Sequence, residues 1–305
     1  MPQLSVALTG ATGFIGRRVQ AHLVAAGHRV RAIVRPDSKH AHHLEPGCDA
    51  FRVHLNDSQG LARALEGVDA VIYCAGSVRG ATLDDFVPAN VDGIEQTLRA
   101  LENERPPLLL ISSLAATRPE LSHYAHSKFL GEQVLREYAG AWTILRPPAV
   151  YGPGDREMLP LLRAIRHGYA PITGPAGQRL SLLHVNDLAA AMEAWMERAK
   201  ACDGQRFAID DGSDNGYDWP AIIAAVATGP VLRIRLPRRL LSSLAALNSA
   251  ASRVFGYAPM LSPGKVRELR QESWLCDNTA FSLQTGWQPR ISLAEGVDSL
   301  FGALS

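Results

Sequence analysis

Ser5-Val6-Ala7-Leu8-Thr9-Gly10-Ala11-Thr12-Gly13-Phe14-Ile15-Gly16 decides how this chain is read. An apolar run of strand length delivers three glycines, spaced by three, into a segment from Phe14 to Ala26. There Phe14, Ile15, Val19, Leu23 and Val24 recur at helical period. The pattern predicts a strand, a tight turn and a helix N-terminus. The three glycines serve different purposes. Gly10 permits a sharp turn, Gly13 lets a pyrophosphate approach the backbone, and Gly16 lets the helix lie close on the strand. Free amides and the positive end of the helix dipole then attract phosphate. Gly10, Thr12, Gly13, Phe14, Ile15 and Gly16 are accordingly the predicted binding residues of this turn. An ordinary glycine-rich loop is the alternative, and the strands and helices that alternate downstream weigh against it.

With 305 residues, 47% of them apolar, the chain has the means to bury a large core as one big or two coupled domains. A net charge of +1 offers no field for nucleic acid, and the arginines are scattered except for Arg233, Arg235, Arg238 and Arg239. Cys48, Cys74, Cys202 and Cys276 lie far apart without metal-ligand spacing, so reduced, mostly buried thiols are expected. His40, His42 and His43 fall in a loop between prolines, and no metal site is predicted. No basic stretch followed by an apolar run opens the chain, and no segment reaches transmembrane length, so a cytoplasmic location is the expectation.

Arg29 to Val34 reads as the second strand. A carboxylate at its end would bind the ribose 2′-hydroxyl of NAD, whereas a cation suits the extra phosphate of NADP. The sequence has Arg35 there, with Lys39 close behind, and Arg's planar fork matches a phosphate dianion. NADP(H) is therefore the predicted cofactor, with a solvated loop charge as the alternative reading of Arg35. Ala50 to Val53 and Ala70 to Tyr73 are the next strands, with a helix over Leu61 to Leu65 between them. The small residues Ala75 and Gly76 leave room for a dinucleotide across the sheet edge. A long helical pattern from Phe86 to Leu101 carries Asn90, and Leu108 to Ile111 is a fifth strand ending in Ser112-Ser113.

The next helix carries His123-Tyr124-Ala125-His126-Ser127-Lys128. Tyr124 and Lys128, four apart, share one helical face. A phenol titrates near pH 10, too high for a proton shuttle, and a neighbouring ammonium favours the phenolate. Ser113 is placed to donate a hydrogen bond to a carbonyl oxygen on which negative charge develops. Tyr-x-x-x-Lys alone is a frequent accident on a solvated helix. Its distance from the glycine turn and from Ser113 is what gives it meaning.

These residues resemble the short-chain dehydrogenase/reductase superfamily, in its extended and atypical branches, which include dihydroflavonol reductase-like, 3-beta-hydroxysteroid dehydrogenase-like and nucleotide-sugar epimerase/dehydratase members. The resemblance covers nearly the whole chain. It is carried by the glycine motif, Asn90-Val91-Asp92-Gly93, Ser113, Tyr124 with Lys128, Leu145 to Asp155, His184 to Asp187 and Thr285 to Pro289. It implies an α/β fold, a doubly wound parallel (Rossmann) sheet, with a smaller, mostly helical C-terminal substrate-binding part. Residues 1–152 are the implied NADP-binding domain and 153–305 the substrate part, with 181–212 returning to the first. By the same resemblance, Asn90, Ser113, Tyr124 and Lys128 form a catalytic tetrad and Lys128 also binds the nicotinamide ribose. Pro147 lies in the segment that passes the nicotinamide, and Leu55 approaches the adenine. Where the family has Asp-Leu this chain has His54-Leu55, so only the leucine contact transfers. The arginine with which sugar-nucleotide epimerases grip a pyrophosphate is missing from Leu180 to Val185, and Arg179 lies one position off.

The leading expectation is an NADPH-dependent oxidoreductase interconverting a ketone and a secondary alcohol on a hydrophobic, lipid-, steroid- or polyketide-like substrate, with Tyr124 as general acid/base. A nucleotide-sugar epimerase or dehydratase is the second reading, and a non-catalytic dinucleotide sensor or structural subunit the third. A pocket beside Tyr124 walled mainly by aliphatic side chains of the C-terminal part is predicted. Leu236 to Phe255 carries Leu240, Leu241, Leu244, Leu247, Ala251, Val254 and Phe255 on one stripe flanked by arginines. A helix packed on its own domain is favoured there over a membrane-surface helix. A homodimer is left open.

Overall fold

The computed structural model describes residues 3–302, so the first two and last three residues of the predicted division lie outside it. Five runs of strand-forming apolar residues build the sheet's middle: β1 (Ser5–Thr9), β2 (Arg29–Val34), β4 (Ala70–Tyr73), β5 (Leu108–Ile111) and β6 (Trp142–Arg146). With β3 (Cys48–Arg52) and β11 (Gln205–Ala208) they form one parallel seven-stranded sheet in the order β11-β6-β5-β4-β1-β2-β3. The direction of winding reverses between β1 and β4, so a crevice opens there at the carboxyl edge.

Both faces of the sheet are covered, which is why its strands are apolar at successive positions. Val6, Leu8, Ile72 and Leu109 pack beneath Val19 and Leu23 of α1 (Phe14–Ala25) and Leu188, Met192 and Trp195 of α6 (Val185–Arg198). Ala7, Val71, Tyr73, Leu108 and Leu110 face α2 (Ser58–Leu65), α3 (Gly93–Ala100) and α4 (His123–Leu135) through Leu61, Leu65, Ile94 and Leu135.

Beyond β6 the chain builds a smaller, mostly helical layer. It contains β7 (Ala149–Tyr151), α5 (Leu159–Arg166), β8 (Tyr169–Ile172), β9 (Arg179–Leu180) and β10 (Leu182–His184). After β11 come α7 (Trp219–Val226), β12 (Leu232–Arg235), α8 (Arg238–Phe255), α9 (Pro263–Leu269), β13 (Ser273–Trp274), α10 (Thr279–Thr285) and α11 (Leu293–Gly302). Short parallel pairs β10-β7, β12-β8 and β13-β9 stitch it together. Its core is Tyr151, Leu162, Ile165, Leu182, Ile222, Val226, Val297 and Leu300. Residues between β10 and β11 leave this layer: α6 lies against α1, and β11 extends the main sheet beside β6.

Four sequence expectations need correction. The third strand runs two residues earlier than Ala50, because an edge strand with three exposed positions has no apolar run to mark it. The helix predicted over Phe86–Leu101 runs unbroken from Val87 to Ala100 but widens into a π-helical turn at Pro88–Asp92 before α3, and Leu83–Asp85 forms a 3-10 turn ahead of it. Of the four free cysteines only Cys202 is fully buried. In α8, Leu241 is the sole leucine of the predicted stripe that packs inward. The packed face is Leu241 with Ala245, Ser249 and Ser252, since small side chains bring the helix close to α9. Leu240, Leu244, Leu247, Val254 and Phe255 stay exposed.

Candidate active site

The turn after β1 has the shape of an anion cradle. Gly10 sits at φ +67°, and a Cβ there would stand 2.7 Å from the amide nitrogen of Ala75. At Gly16 a Cβ would fall 2.1 Å from the carbonyl oxygen of Gly10, so only glycine lets α1 begin this close to the turn. Gly13 caps α1 with no side-chain hydrogen bond, and the first turn, with Phe14 and Ile15, holds no acid. Its amides and dipole are left for an anion, which fits the pyrophosphate of a dinucleotide. Thr12 lies in the same turn, half-buried. Thr9 Oγ1 accepts from the amides of Cys74 and Ala75, both at 3.1 Å, and so draws Ala75 and Gly76 up beside the cradle. Arg35 leaves β2 at the same edge, exposed and without an ion pair among the described residues. Leu55 lies under α3, where its Cδ1 would be 2.9 Å from a Cβ on Gly93.

Next to the cradle the structure collects Gly76, Asn90 and Lys128. A Cβ on Gly76 would be 3.0 Å from Asn90 Oδ1 and 3.6 Å from Lys128 Nζ. Asn90 is buried within the π-helical turn, a local widening that recurs at functional sites. Its Oδ1 accepts from the Ser77 amide at 3.0 Å, and its Nδ2 donates to Ser77 O at 3.1 Å and to Ser127 Oγ at 2.9 Å. Lys128 Nζ donates to the Ile111 carbonyl at 2.8 Å, and burial draws its pKa down to about 8. α4 is fastened from below: the buried Glu132 carboxylate accepts from Ser112 Oγ at 2.5 Å and from Arg146 Nε at 2.9 Å. Arg146 thereby braces the helix, while the carbonyl of Pro147 accepts from the Leu114 amide at 2.8 Å and sets the segment that follows β6.

Tyr124 stands in the first turn of α4, after the N-cap Ser122, whose hydroxyl accepts from the Ala125 amide at 2.9 Å. Burial raises the phenol's pKa, hydrogen bonding with Ser113 and the charge of Lys265 oppose that rise, and Glu268 adds to it. Lys128 Nζ turns to the Ile111 carbonyl, and a second ammonium, that of Lys265 in α9, also favours the phenolate. Nothing in the sequence spacing joins positions 124 and 265. The local signal was Ser262-Pro263-Gly264, a helix start whose glycine would put a Cβ 2.7 Å from Ser122 Cβ. Lys265 Nζ donates to Glu268 Oε2 at 3.0 Å, and Glu268 also accepts from Ser122.

A narrow crevice of about 20 Å³ beside Tyr124 is lined by Val78, Phe86, Met260, Ser122, His123, Ser262, Lys265 and Glu268. At this crevice the predicted aliphatic wall is represented from the C-terminal layer by Met260 alone, beside the polar Ser262, Lys265 and Glu268. Leu182 and Leu183 are absorbed by the cores, and Leu180 packs against that of the smaller layer. No arginine lines the cleft, and Arg179 points to Asp218, 3.8 Å away. The Phe86 ring lies 6.0 Å from that of Tyr124 and was not singled out from the sequence. Among the described residues no three His, Cys, Asp or Glu side chains are grouped to hold a metal ion.

Residues 6–209 match the NAD dependent epimerase/dehydratase family. The chain is 34% identical to a ceramide reductase of Caulobacter vibrioides, over 98% of this chain and 90% of that protein. It is 27% identical to a 2-alkyl-3-oxoalkanoate reductase of Stenotrophomonas maltophilia, over 68% of this chain and 71% of that one. Its fold is shared with the UDP-glucuronic acid 4-epimerase of Bacillus cereus, solved with UDP-glucuronic acid and NAD. The two have a TM-score of 0.72 and 19% identity over 98% of both chains.

Proposed function

The chain belongs to the NAD dependent epimerase/dehydratase family, and we propose that it is an NADP(H)-dependent oxidoreductase that interconverts a ketone and a secondary alcohol on a hydrophobic substrate. Reductases among its relatives support an oxidoreductase, and their names support a lipid-like substrate. The observation that carries the proposal is the placement of Tyr124, with Ser113 beside it, at the sheet edge that also bears the glycine cradle.

The cradle residues fit the cofactor, which when bound supplies or accepts the hydride. Gly10, Gly13 and Gly16 with the first turn of α1 would hold its pyrophosphate and Arg35 its 2′-phosphate, and Ala75, Gly76 and Pro147 would leave a path for it along the edge. Ser113 donates to the substrate carbonyl oxygen as charge builds there. Tyr124 gives that oxygen its proton, and Ser113 and Lys265 stabilise the phenolate left behind. Lys128, held by the Ile111 carbonyl, would bind the ribose, and Asn90 keeps the π-helical turn and Ser127 in register behind it. Val78, Phe86 and Met260 cover an apolar chain, and the polar wall receives hydroxyl or amide groups close to the carbonyl.

A nucleotide sugar fits less well. Its pyrophosphate would be desolvated without an arginine in the cleft, at a cost of several kcal/mol per charge. The decisive experiment is turnover of long-chain ketones and of UDP-sugars with NADPH and NADH, using wild type and Tyr124→Phe. Ketone reduction is expected to vanish in Tyr124→Phe while NADPH binding, followed by thermal shift, stays near wild type. Near-normal turnover by Tyr124→Phe would overturn the role, and turnover of a nucleotide sugar would overturn the substrate class.

A further inference from the structure

α8 is amphipathic the wrong way round for a helix that serves only its own fold. Its inward face is mostly small, with Ala245, Ser249 and Ser252 beside Leu241. Its larger apolar side chains stand in solvent: Leu247 is 68% exposed and Val254 and Phe255 are each 78% exposed. Leu240, Leu244, Leu247, Ala251 and Val254 follow one another at alternating steps of four and three, which places them on one face.

Charge says what this face meets. Between Asp218 and Glu268 the sequence contains no carboxylate, while Arg233, Arg235, Arg238, Arg239 and Arg253 are all exposed and form no ion pair among the described residues. A second copy of the helix would bring the same cations and no acid to answer them, although the leucine spacing suits a coiled-coil seam. An anionic lipid surface answers both the arginines and the leucines. No helix among the described residues is long and apolar enough to cross a membrane, so α8 would lie in the interface.

The end of α8 leads to the active-site cleft. Asn248 Nδ2 donates to Leu261 O at 2.9 Å and its Oδ1 accepts from the Tyr257 hydroxyl at 2.6 Å, which ties the loop after Phe255 back to the helix. That loop carries Met260, 40% exposed on one side and lining the cleft with Tyr124 on the other. We propose that α8 seats the protein on an anionic membrane surface, with Leu240, Leu244, Leu247, Val254 and Phe255 entering the acyl boundary, so that an apolar substrate reaches Tyr124 from the bilayer past Met260. The docking surface stands on α8 alone; the route past Met260 rests on the function proposed above.

The full chain is to be co-sedimented with vesicles of phosphatidylcholine mixed with an equal part of phosphatidylglycerol, against phosphatidylcholine alone. Wild type is expected to bind the mixed vesicles and hardly the neutral ones. Arg238→Gln with Arg239→Gln should lower the partition coefficient by about fivefold per arginine, and raised salt should do the same. Leu244→Gln with Leu247→Gln should lower it by at least about tenfold. Because these positions are exposed, both variants should keep the wild-type melting temperature and, once a water-soluble ketone substrate is found, its turnover. Failure of wild type to bind the mixed vesicles, or wild-type binding by the leucine variant, would overturn the docking surface. Sedimentation velocity showing a wild-type dimer that the leucine variant dissociates would give the face to a second copy instead. Vesicle binding needs no turnover, and turnover of a soluble ketone needs no vesicle, so the two proposals fail separately.

Discussion

Arg35 and His184 carry residue-level consequences of opposite kinds, one for a ligand and one for the fold. Arg35 is exposed at the end of β2 with no ion pair among the described residues, so its removal costs the protein little and a bound 2′-phosphate a charge-assisted contact. Arg35→Ala is expected to weaken NADPH by ~1–3 kcal/mol while leaving NADH nearly unchanged, as read by titration calorimetry with both. Equal weakening would remove the phosphate assignment. His184 caps α6 through Nδ1, which accepts from the Asn186 amide at 3.3 Å, and its ring meets Tyr151 edge-on at 5.3 Å. Burial pulls its pKa from 6.5 to about 4. Between those values the unfolded chain binds a proton that the folded chain excludes, so this residue costs stability as pH falls from 6.5 towards 4. The penalty reaches a few kcal/mol at the acid end, at about 1.4 kcal/mol for each unit. His184→Asn keeps a capping oxygen and is expected to flatten the fall of Tm over that window; an unchanged slope would show that another group governs it.

At the scale of elements the decisive contact is α4 against the π-helical turn. Gly131 makes it possible, since a Cβ there would lie 2.1 Å from the Asn90 carbonyl oxygen, and backbone has no rotamer with which to yield. Gly131→Ala is expected to cost ~1–3 kcal/mol by overpacking and to lower kcat as Asn90 and Lys128 shift together. Urea unfolding and steady-state kinetics measure the two effects. Gly229→Ala, where a methyl group meets nothing within 4 Å, is the control. The legibility of each element follows its environment. β4 and β5 were readable because strands covered on both faces are apolar throughout, and β1 and β2 because their apolar runs Val6–Leu8 and Ala32–Val34 lead into the sheet edge. The π-helical turn was not, since one extra residue in a turn leaves the apolar period around it almost intact, and α8 misled because periodicity shows that a helix has an apolar stripe without showing what it faces.

For the molecule as a whole, the segment that leaves the smaller layer matters most. α6 and β11 cover the face of α1 and the open edge of β6, so the dinucleotide-binding half is completed by residues from beyond its own end. A fragment of residues 1–152 would leave Val19, Leu23 and Leu145 uncovered. It is expected to bind a hydrophobic dye and to melt without cooperativity, whereas extension to residue 212 restores a sigmoidal transition. Cooperative melting of the shorter fragment would show that the returning segment is dispensable to that core. The same long-range closure creates the cleft, because α9 meets the start of α4 from 146 residues further along the chain.

Sequence alone determined the parts of this protein that depend on near neighbours. The glycine turn, the alternation of strand and helix, and the pairing of Tyr124 with Lys128 on one helical face are all set within a few residues, where backbone sterics and periodicity decide. Tertiary structure decided what depends on residues far apart in the chain: that Lys265 and Glu268 stand at Tyr124, that Lys128 turns to Ile111, and that the leucines of α8 look outward. Burial and Coulomb interactions act between groups that are close in space whatever their separation in the chain, so their partners are chosen by packing, and packing is not written at any one position.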